Sequence, residues 1–380
     1  MGIKNIYKQS LEAHKKYRGK IEIVSKIPLR NKKDLSIAYS PGVAAVSRKI
    51  AEDVSKVRDY TIKGNAVIII SDGSAILGLG NLGPYAAMPV MEGKAALFKR
   101  FAGIDAYPIC LDTQDENEIV AVVKTIAPSF GAVNLEDISA PRCFTIEKRL
   151  QKELSIPVMH DDQHGTAVVV LAGLINALKL RKSKKEHVKI VVNGAGAAGI
   201  AVAELLLEYG FKNIIVNDSK GIIYSGRRDL NNEKQKLAVR TNKKKIKGLL
   251  TDSLAGTDVF IGVSKAGVLT KEMIGFMNKQ PIIFALANPE PEIRPEEAKK
   301  AGAFVVATGR SDYPNQVNNA LAFPGIFRGA LHNRIKQFNN KMFVRAAEAL
   351  ASCVKKLSPE KIIPNIFDKQ VVEKIARTIK

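Results

Sequence analysis

Apolar positions along this chain fall into two rhythms, short β-branched runs and longer stretches of helical spacing, and the two alternate. The runs 66–71, 105–111, 131–135 and 155–159 are bounded by turn residues, and the stretches 91–100, 116–127, 145–153 and 166–180 separate or follow them. An uninterrupted apolar run reads as a strand buried on both faces, as parallel strands with crossover helices are. The alternation continues at 188–193, 200–209, 212–216, 258–263, 282–286 and 303–307, and from residue 326 onward the spacing is helical. The N-terminus differs: 4–18 has helical spacing, an irregular segment follows Pro28, and Ser40-Pro41-Gly42 forms a turn opening a helix over 43–54, with Tyr39 at its mouth. A length of 380 residues exceeds what one core serves. The spacing therefore predicts an α/β protein of two units, an N-terminal α/β domain over 1–160 and a doubly wound sheet with C-terminal helices over 161–380.

Two predicted strand ends carry paired acids, Glu136-Asp137 in Asn134-Leu-Glu-Asp and Asp161-Asp162 in His160-Asp-Asp-Gln-His-Gly-Thr. Helix capping and surface solvation are the ordinary reasons for such pairs. The alternative is a cage of hard oxygen ligands for Mg²⁺ or Mn²⁺. His160 and His164 have the spacing of a zinc pair, but Asp161 stands where such a motif has Glu, and Pro157-Val158 makes the segment extended, so zinc is not expected. Lys94 is expected near the first turn of a helix over 91–100, where the positive end of the helix dipole favours a neutral amine able to act as a base.

Charge changes the picture less than its size suggests. With 59 Lys+Arg against 37 Asp+Glu the net charge is +22, which invites a nucleic-acid reading. The lysines are spread along the whole chain, with local runs at 182–185 and 243–247 and no interleaved aromatics, so anionic small molecules are the better match. Cys110, Cys143 and Cys353 form no CxxC pair, no secretory signal is visible, and the apolar run 166–180 is too short to span a bilayer. A cytoplasmic protein without nucleic-acid or membrane partners is expected.

The most specific spelling is Gly194-Ala195-Gly196-Ala197-Ala198-Gly199, between the strand over 188–193 and the helix over 200–209, with a further strand closing at Asn217-Asp218. The glycines allow a tight turn and close approach of a pyrophosphate, the helix N-terminus meets the phosphates, and Asp218 is placed for the adenosine ribose hydroxyls. Asp218 repels a 2′-phosphate, which favours NAD, whereas Ser219, Lys220, Arg227 and Arg228 are close enough to accept one, which keeps NADP open. The second match to the same spelling, over 78–83, is interrupted afterwards by Pro84 and Pro89 and reads as a tight active-site loop. Asn288 and Asn318-Asn319 lie in loops at carboxyl ends of strands, where ligands gather in open sheets.

Taken in order, Tyr39-Ser-Pro-Gly-Val-Ala, the 78–83 loop, Glu92-Gly-Lys94, Asn134-Leu-Glu-Asp, His160-Asp-Asp-Gln-His-Gly-Thr, the Gly194 turn, Asn288-Pro and Asn318-Asn319 make the chain resemble a malic enzyme of the short prokaryotic type. The resemblance implies a Rossmann-type dinucleotide domain and oxidative decarboxylation of (S)-malate to pyruvate and CO₂, with NAD or NADP and Mg²⁺ or Mn²⁺. It further implies Glu136, Asp137 and Asp162 as metal ligands, Lys94 assisted by Asp161 as the base, Tyr39 as the acid that protonates the enolpyruvate carbon, and Asn288 and Asn318 orienting substrate and cofactor. A homodimer whose N-terminal residues complete the neighbouring site is implied in the same way. One departure is visible: where larger relatives carry a carboxylate-gripping arginine, this chain has Ser74-Ala75. The rival functions are oxaloacetate decarboxylation, malate-to-lactate conversion without net redox, and a basic nucleotide-dependent protein that binds nucleic acid.

Overall fold

The computed structural model describes residues 3–76 and 78–380. The chain begins with an arm of helices α1 (Ile3–Tyr17), α2 (Lys32–Ala38), α3 (Val43–Glu52) and α4 (Val57–Tyr60). Gly42, not Pro41, caps α3. No residue of α2, α3 or α4 is buried, although the arm carries Ile23, Val24, Ile37 and Tyr39, the first of them 88% exposed.

Two sheets organise the rest. The first contains β1 (Ala66–Ser71), β2 (Asp105–Cys110), β3 (Ala132–Leu135) and β4 (Val158–His160), all parallel in the order β2-β1-β3-β4. Every residue of β1 and β3 is buried, as their unbroken apolar spelling requires. The crossovers are α5 (Gly83–Ala102), α6 (Glu116–Ile126) and α7 (Arg142–Glu153).

Helix α5 corrects the sequence expectation. It starts at Gly83 rather than near residue 91, because Pro84 sits in its first turn, where no intrahelical N–H partner is needed, and Pro89 is accommodated inside it. Lys94 is therefore well inside the helix and away from the positive end of its dipole.

Helix α8 (Asp161–Arg181) leads out of the first sheet, and it too begins earlier than the apolar run at 166 suggests. By length and composition alone it could cross a membrane, yet 72% of that apolar window is buried inside the protein. It packs along α9 (Ala197–Tyr209) and the helix Asn340–Ala351. Its last residue is tied to the second sheet: Arg181 Nη2 is 2.6 Å from Asp258 Oδ1.

The second sheet has the order β10-β9-β8-β5-β6-β7, built from β5 (Lys189–Asn193), β6 (Asn213–Asp218), β7 (Gly221–Ile222), β8 (Val259–Gly262), β9 (Ile282–Ala285) and β10 (Val305–Thr308). All pairs are parallel except β6–β7, a two-residue edge too short to leave a periodic signal. The direction of chain progress reverses at β5, so the crevice between β5 and β8 is the switch point at which such sheets bind ligands.

One apolar cluster runs from Ile68 in β1 through Val168 in α8 to Val192 in β5. Within it Phe98 of α5 packs on Phe323 at a 4.6 Å centroid distance and edge-on to Phe327 at 5.3 Å, joining the first sheet to the helix Phe323–His332. Truncating such a ring leaves a cavity among rigid neighbours. Phe98→Ala is expected to destabilise the protein by about 3–5 kcal/mol, read from the denaturant midpoint at unchanged slope. A loss below about 1 kcal/mol would show that this aromatic contact does not tie the two parts together.

Candidate active site

Carboxyl ends of strands from both sheets face one cleft of about 740 Å³. From the first sheet come Glu136 and Asp137, just past β3, and from the start of α8 comes Asp162. One carboxylate oxygen of each lies within 4.8 Å of the others. Asp137 holds a left-handed backbone (φ +53°), a conformation that Asp tolerates better than most residues, and its N–H donates to Asp162 Oδ2 at 2.8 Å. The loop after β3 is thereby pinned to the first turn of α8.

Lys94 reaches this group from the side. Its ammonium is 2.6 Å from Asp161 Oδ2 and 2.8 Å from Glu136 Oε1, and it lies 4.4 Å from the centroid of the Phe323 ring. Burial alone pulls the Lys94 pKa down, but Asp161, Glu136 and Asp162 outweigh it and the net shift is upward. The neutral amine expected from the helix dipole is thus not what this environment favours. Burial pushes Asp161 up to about 7, with Glu136 adding to the shift and Lys94 opposing it. Glu136 also rises to about 7, from burial opposed by Lys94 and reinforced by Asp162.

This excess of buried acid tests the expected metal. Among the described residues Glu136, Asp161 and Asp162 crowd around the Lys94 ammonium, and carboxylates this close are not all ionised without a further positive charge. Three convergent oxygen donors, with no sulfur or nitrogen ligand beside them among the described residues, suit a hard divalent ion. The residues fit Mg²⁺ or Mn²⁺.

The opposite wall is the nucleotide crevice. Gly194 follows β5 with φ +114°, Gly196 caps α9, and a Cβ at Gly199 would stand 1.7 Å from the carbonyl oxygen of Gly194. The turn Gly194-Ala195-Gly196-Ala197-Ala198-Gly199 can close only if its last member has no side chain, and Ala198 lines the cleft. Gly78, Asn288 and Asn318 line it as well. Asn318 uses its side-chain oxygen to accept from the N–H of Ala320.

Asp218 and Tyr39 are not brought to the cleft. Asp218 ends β6 as anticipated, but its carboxylate is clamped by Arg227 at 2.9 and 3.0 Å and by Lys234 at 2.7 Å. With Lys220 paired to the adjacent Asp229, this corner is not the anionic spot that repulsion of a 2′-phosphate presupposed. Tyr39 is 68% exposed at the end of α2 and is not among the cleft residues, because α2 lies on the outside of its own chain.

Sequence reasoning missed the groups that hold these residues in place. Glu147 of α7, buried, accepts from the backbone N–H of His160 at 2.8 Å and from Gln163 at 3.2 Å, and pairs with His164 at 3.0 Å, fixing the first turn of α8. Its signal was readable: with Cys143, Ile146 and Leu150 it completes the buried stripe of the helix, an acid at a core position. Asn134 donates to Glu136 at 2.9 Å. Gly165 makes room for the Asp161 carboxylate, since a Cβ there would lie 1.8 Å from Oδ1. Glu292 accepts from Ser264 and Ala287, both at 2.9 Å, tethering the loops after β8 and β9, and no pattern in the sequence marks it. Burial holds His160 down to about 4, so it stays neutral, and its backbone rather than its ring meets Glu147.

Residues 18–151 match the family described as malic enzyme, N-terminal domain, and residues 163–380 match malic enzyme, NAD binding domain. The chain is 57% identical to a bifunctional malic/malolactic enzyme of Bacillus subtilis over 99% of its own length and 92% of that protein's. It is also 57% identical to an NAD-dependent malic enzyme of Geobacillus stearothermophilus, covering 95% and 76%. The crystal structure of an NAD-dependent malic enzyme from Thermotoga maritima superposes with a TM-score of 0.94 at 51% identity, over 97% of this chain and 98% of that one. With both sheets, the cleft between them and these likenesses in agreement, the chain belongs to the malic enzyme family.

Proposed function

We infer that the protein catalyses oxidative decarboxylation of (S)-malate to pyruvate and CO₂, reducing NAD, with NADP also accepted, in the presence of Mg²⁺ or Mn²⁺. The observation that carries this reading is the convergence of three carboxylates within 4.8 Å beside the Lys94–Asp161 pair, in the cleft that Ala198 of the glycine turn also lines. In this reading residues 1–160 carry most of the catalytic groups and 161–380 the nucleotide-binding half.

Glu136, Asp137 and Asp162 would hold the cation, which supplies Lewis-acid polarisation of the substrate's oxygen atoms, while the nicotinamide is the hydride acceptor. Glu136 and Asp162 would be ligands of that ion, which would leave Asp161 as the carboxylate holding Lys94 and would lower the proton affinity of Lys94. Having released its ammonium proton to solvent, the neutral Lys94 amine would take the proton of the C2 hydroxyl, with Asp161 orienting it. Asn288 and Asn318 contribute neutral hydrogen-bonding groups for substrate and cofactor. Clamping of Asp218 by Arg227 and Lys234 supports tolerance of either nicotinamide nucleotide.

The apolar arm supports a homodimer. A helical arm that buries none of α2 to α4 and exposes Ile23, Val24, Ile37 and Tyr39 is stabilised by a second copy, and Tyr39 would then act as the proton donor in the neighbour's cleft. The cysteines are free thiols, which supports a reducing, cytoplasmic setting. A second reading, malate to lactate without net redox, draws support from the bifunctional Bacillus subtilis relative.

Malate turnover with NAD and with NADP, each with Mn²⁺, Mg²⁺ or chelator, tests the function. Pyruvate with equimolar reduced nucleotide is expected, with turnover abolished by chelator and restored by the ion; lactate without reduced nucleotide would favour the second reading. Asp162→Asn is expected to abolish turnover while NAD binding, followed by fluorescence, persists, and near-wild-type turnover would remove Asp162 from the ligand set. Lys94→Ala is expected to lose about 10³-fold or more in kcat, and a loss below about tenfold would demote it from base to positioning group. Mixing inactive Tyr39→Phe and Lys94→Ala chains should restore about a quarter of wild-type activity, since half the dimers formed are mixed and each has one intact site. Mixtures that stay inactive would place Tyr39 in its own chain's site.

A further inference from the structure

Among the described residues, a buried group of acids around the Lys94 ammonium is a poor receptor for a dianion. Glu136, Asp161 and Asp162 already balance a divalent ion together with Lys94, so that group leaves no positive charge over for the two negative charges of malate. The neutral carboxamides of Asn288 and Asn318 do not correct this. Ser74 turns its hydroxyl to Asp72 Oδ1 at 2.5 Å, and Arg142, the nearby arginine, is taken up by Asp72 at 2.9 Å and is not a cleft residue.

One other ammonium lines the cleft. Lys20 reaches it from the turn that follows α1, and the turn is built to hold it there. Gly19 has φ +119°, and a Cβ on it would stand 3.2 Å from Glu92 Oε1. The N–H of Lys20 donates to Glu92 Oε2 at 3.2 Å, and its Nζ donates to the carbonyl oxygen of Pro89 at 2.5 Å. A Cβ on Gly93 would meet that same Nζ at 3.8 Å, so the ammonium rests on the bare surface of α5 one residue from Lys94. Gly19-Lys20 is thus docked on Glu92-Gly93-Lys94. Among the described residues the Lys20 ammonium feels the Glu92 carboxylate but has no carboxylate within 4.0 Å, and one of its N–H donors is used, on Pro89.

Resting on the malate reading above, we propose that Lys20 is the carboxylate-gripping cation of this enzyme, taking the place of the arginine that Ser74-Ala75 lacks. Its target is the carboxylate that stays behind in pyruvate. The carboxylate that departs as CO₂ must shed its charge on the way to the transition state, and an ammonium on it would stabilise the ground state and slow the loss. Neutral partners suit the leaving carboxylate, and a fixed cation suits the retained one.

The test is steady-state kinetics of Lys20→Gln and Lys20→Arg beside the wild-type dimer with Mn²⁺ and NAD, with pyruvate as product inhibitor and melting temperature as control. For Lys20→Gln the malate KM and the pyruvate inhibition constant are expected to rise together, by about tenfold to a hundredfold, with kcat and the NAD KM within about threefold and the melting temperature unchanged. Lys20→Arg should recover most of both losses. An unchanged malate KM, or a rise in it without weaker pyruvate inhibition, overturns the assignment. A fall confined to kcat and melting temperature would instead make Gly19-Lys20 a structural clasp and overturns it equally. A wild-type protein that does not turn over malate would fail the reading beneath the proposal, a result distinguishable from either.

Discussion

The site depends on one buried charge. Lys94 is held between Asp161 at 2.6 Å and Glu136 at 2.8 Å, almost without solvent, and an ammonium taken out of water at that cost stays there only because carboxylates from the end of β3 and the start of α8 compensate it. Those partners come from different elements, Glu136 from the end of β3 and Asp161 from the start of α8, while Lys94 itself rides on α5. This pairing therefore gathers three segments, and Glu136 at that meeting point, with Asp137 and Asp162 beside it, is positioned to hold a cation. Removing the ammonium would leave the cluster with repulsion and no counterweight.

Around this centre the structure spends its polar groups on holding acids still. Glu147 secures the first turn of α8 through the backbone of His160 and the side chains of Gln163 and His164, and Asn134 orients Glu136. On the nucleotide side Glu292 does the same for the loops after β8 and β9. Each is buried, and each makes hydrogen bonds that water could not make in the same place.

How much of this was legible in the sequence depended on whether a residue's role leaves a local pattern. Strands β1, β3, β5 and β8 were readable because burial on both faces writes an unbroken apolar run, and the Gly194 to Gly199 turn because close approach admits no side chain at its end. The acid pairs stood out in a basic chain. Helix α5 was misjudged because prolines were taken as breaks, although a helix tolerates proline in its first turn, and that error moved Lys94 to a helix end and assigned it the wrong preferred charge. Asp218 was readable in position but not in partnership, since Arg227 and Lys234 reach it from a loop and a later helix. Tyr39 belongs to a recognisable turn, yet whether a turn faces its own cleft or outward is set by tertiary packing that no local spelling records.

Helix α8 has a last implication. It is a rod of 21 residues, about 30 Å long, whose first turn carries two of the acids and whose last residue is bolted to Asp258 beside the start of β8. Packed against rigid neighbours along its apolar length, it transmits a tilt at one end to the other rather than absorbing it. Arg181 and Asp258, remote from the chemistry, thus anchor the far end of the same element that presents Asp161 and Asp162.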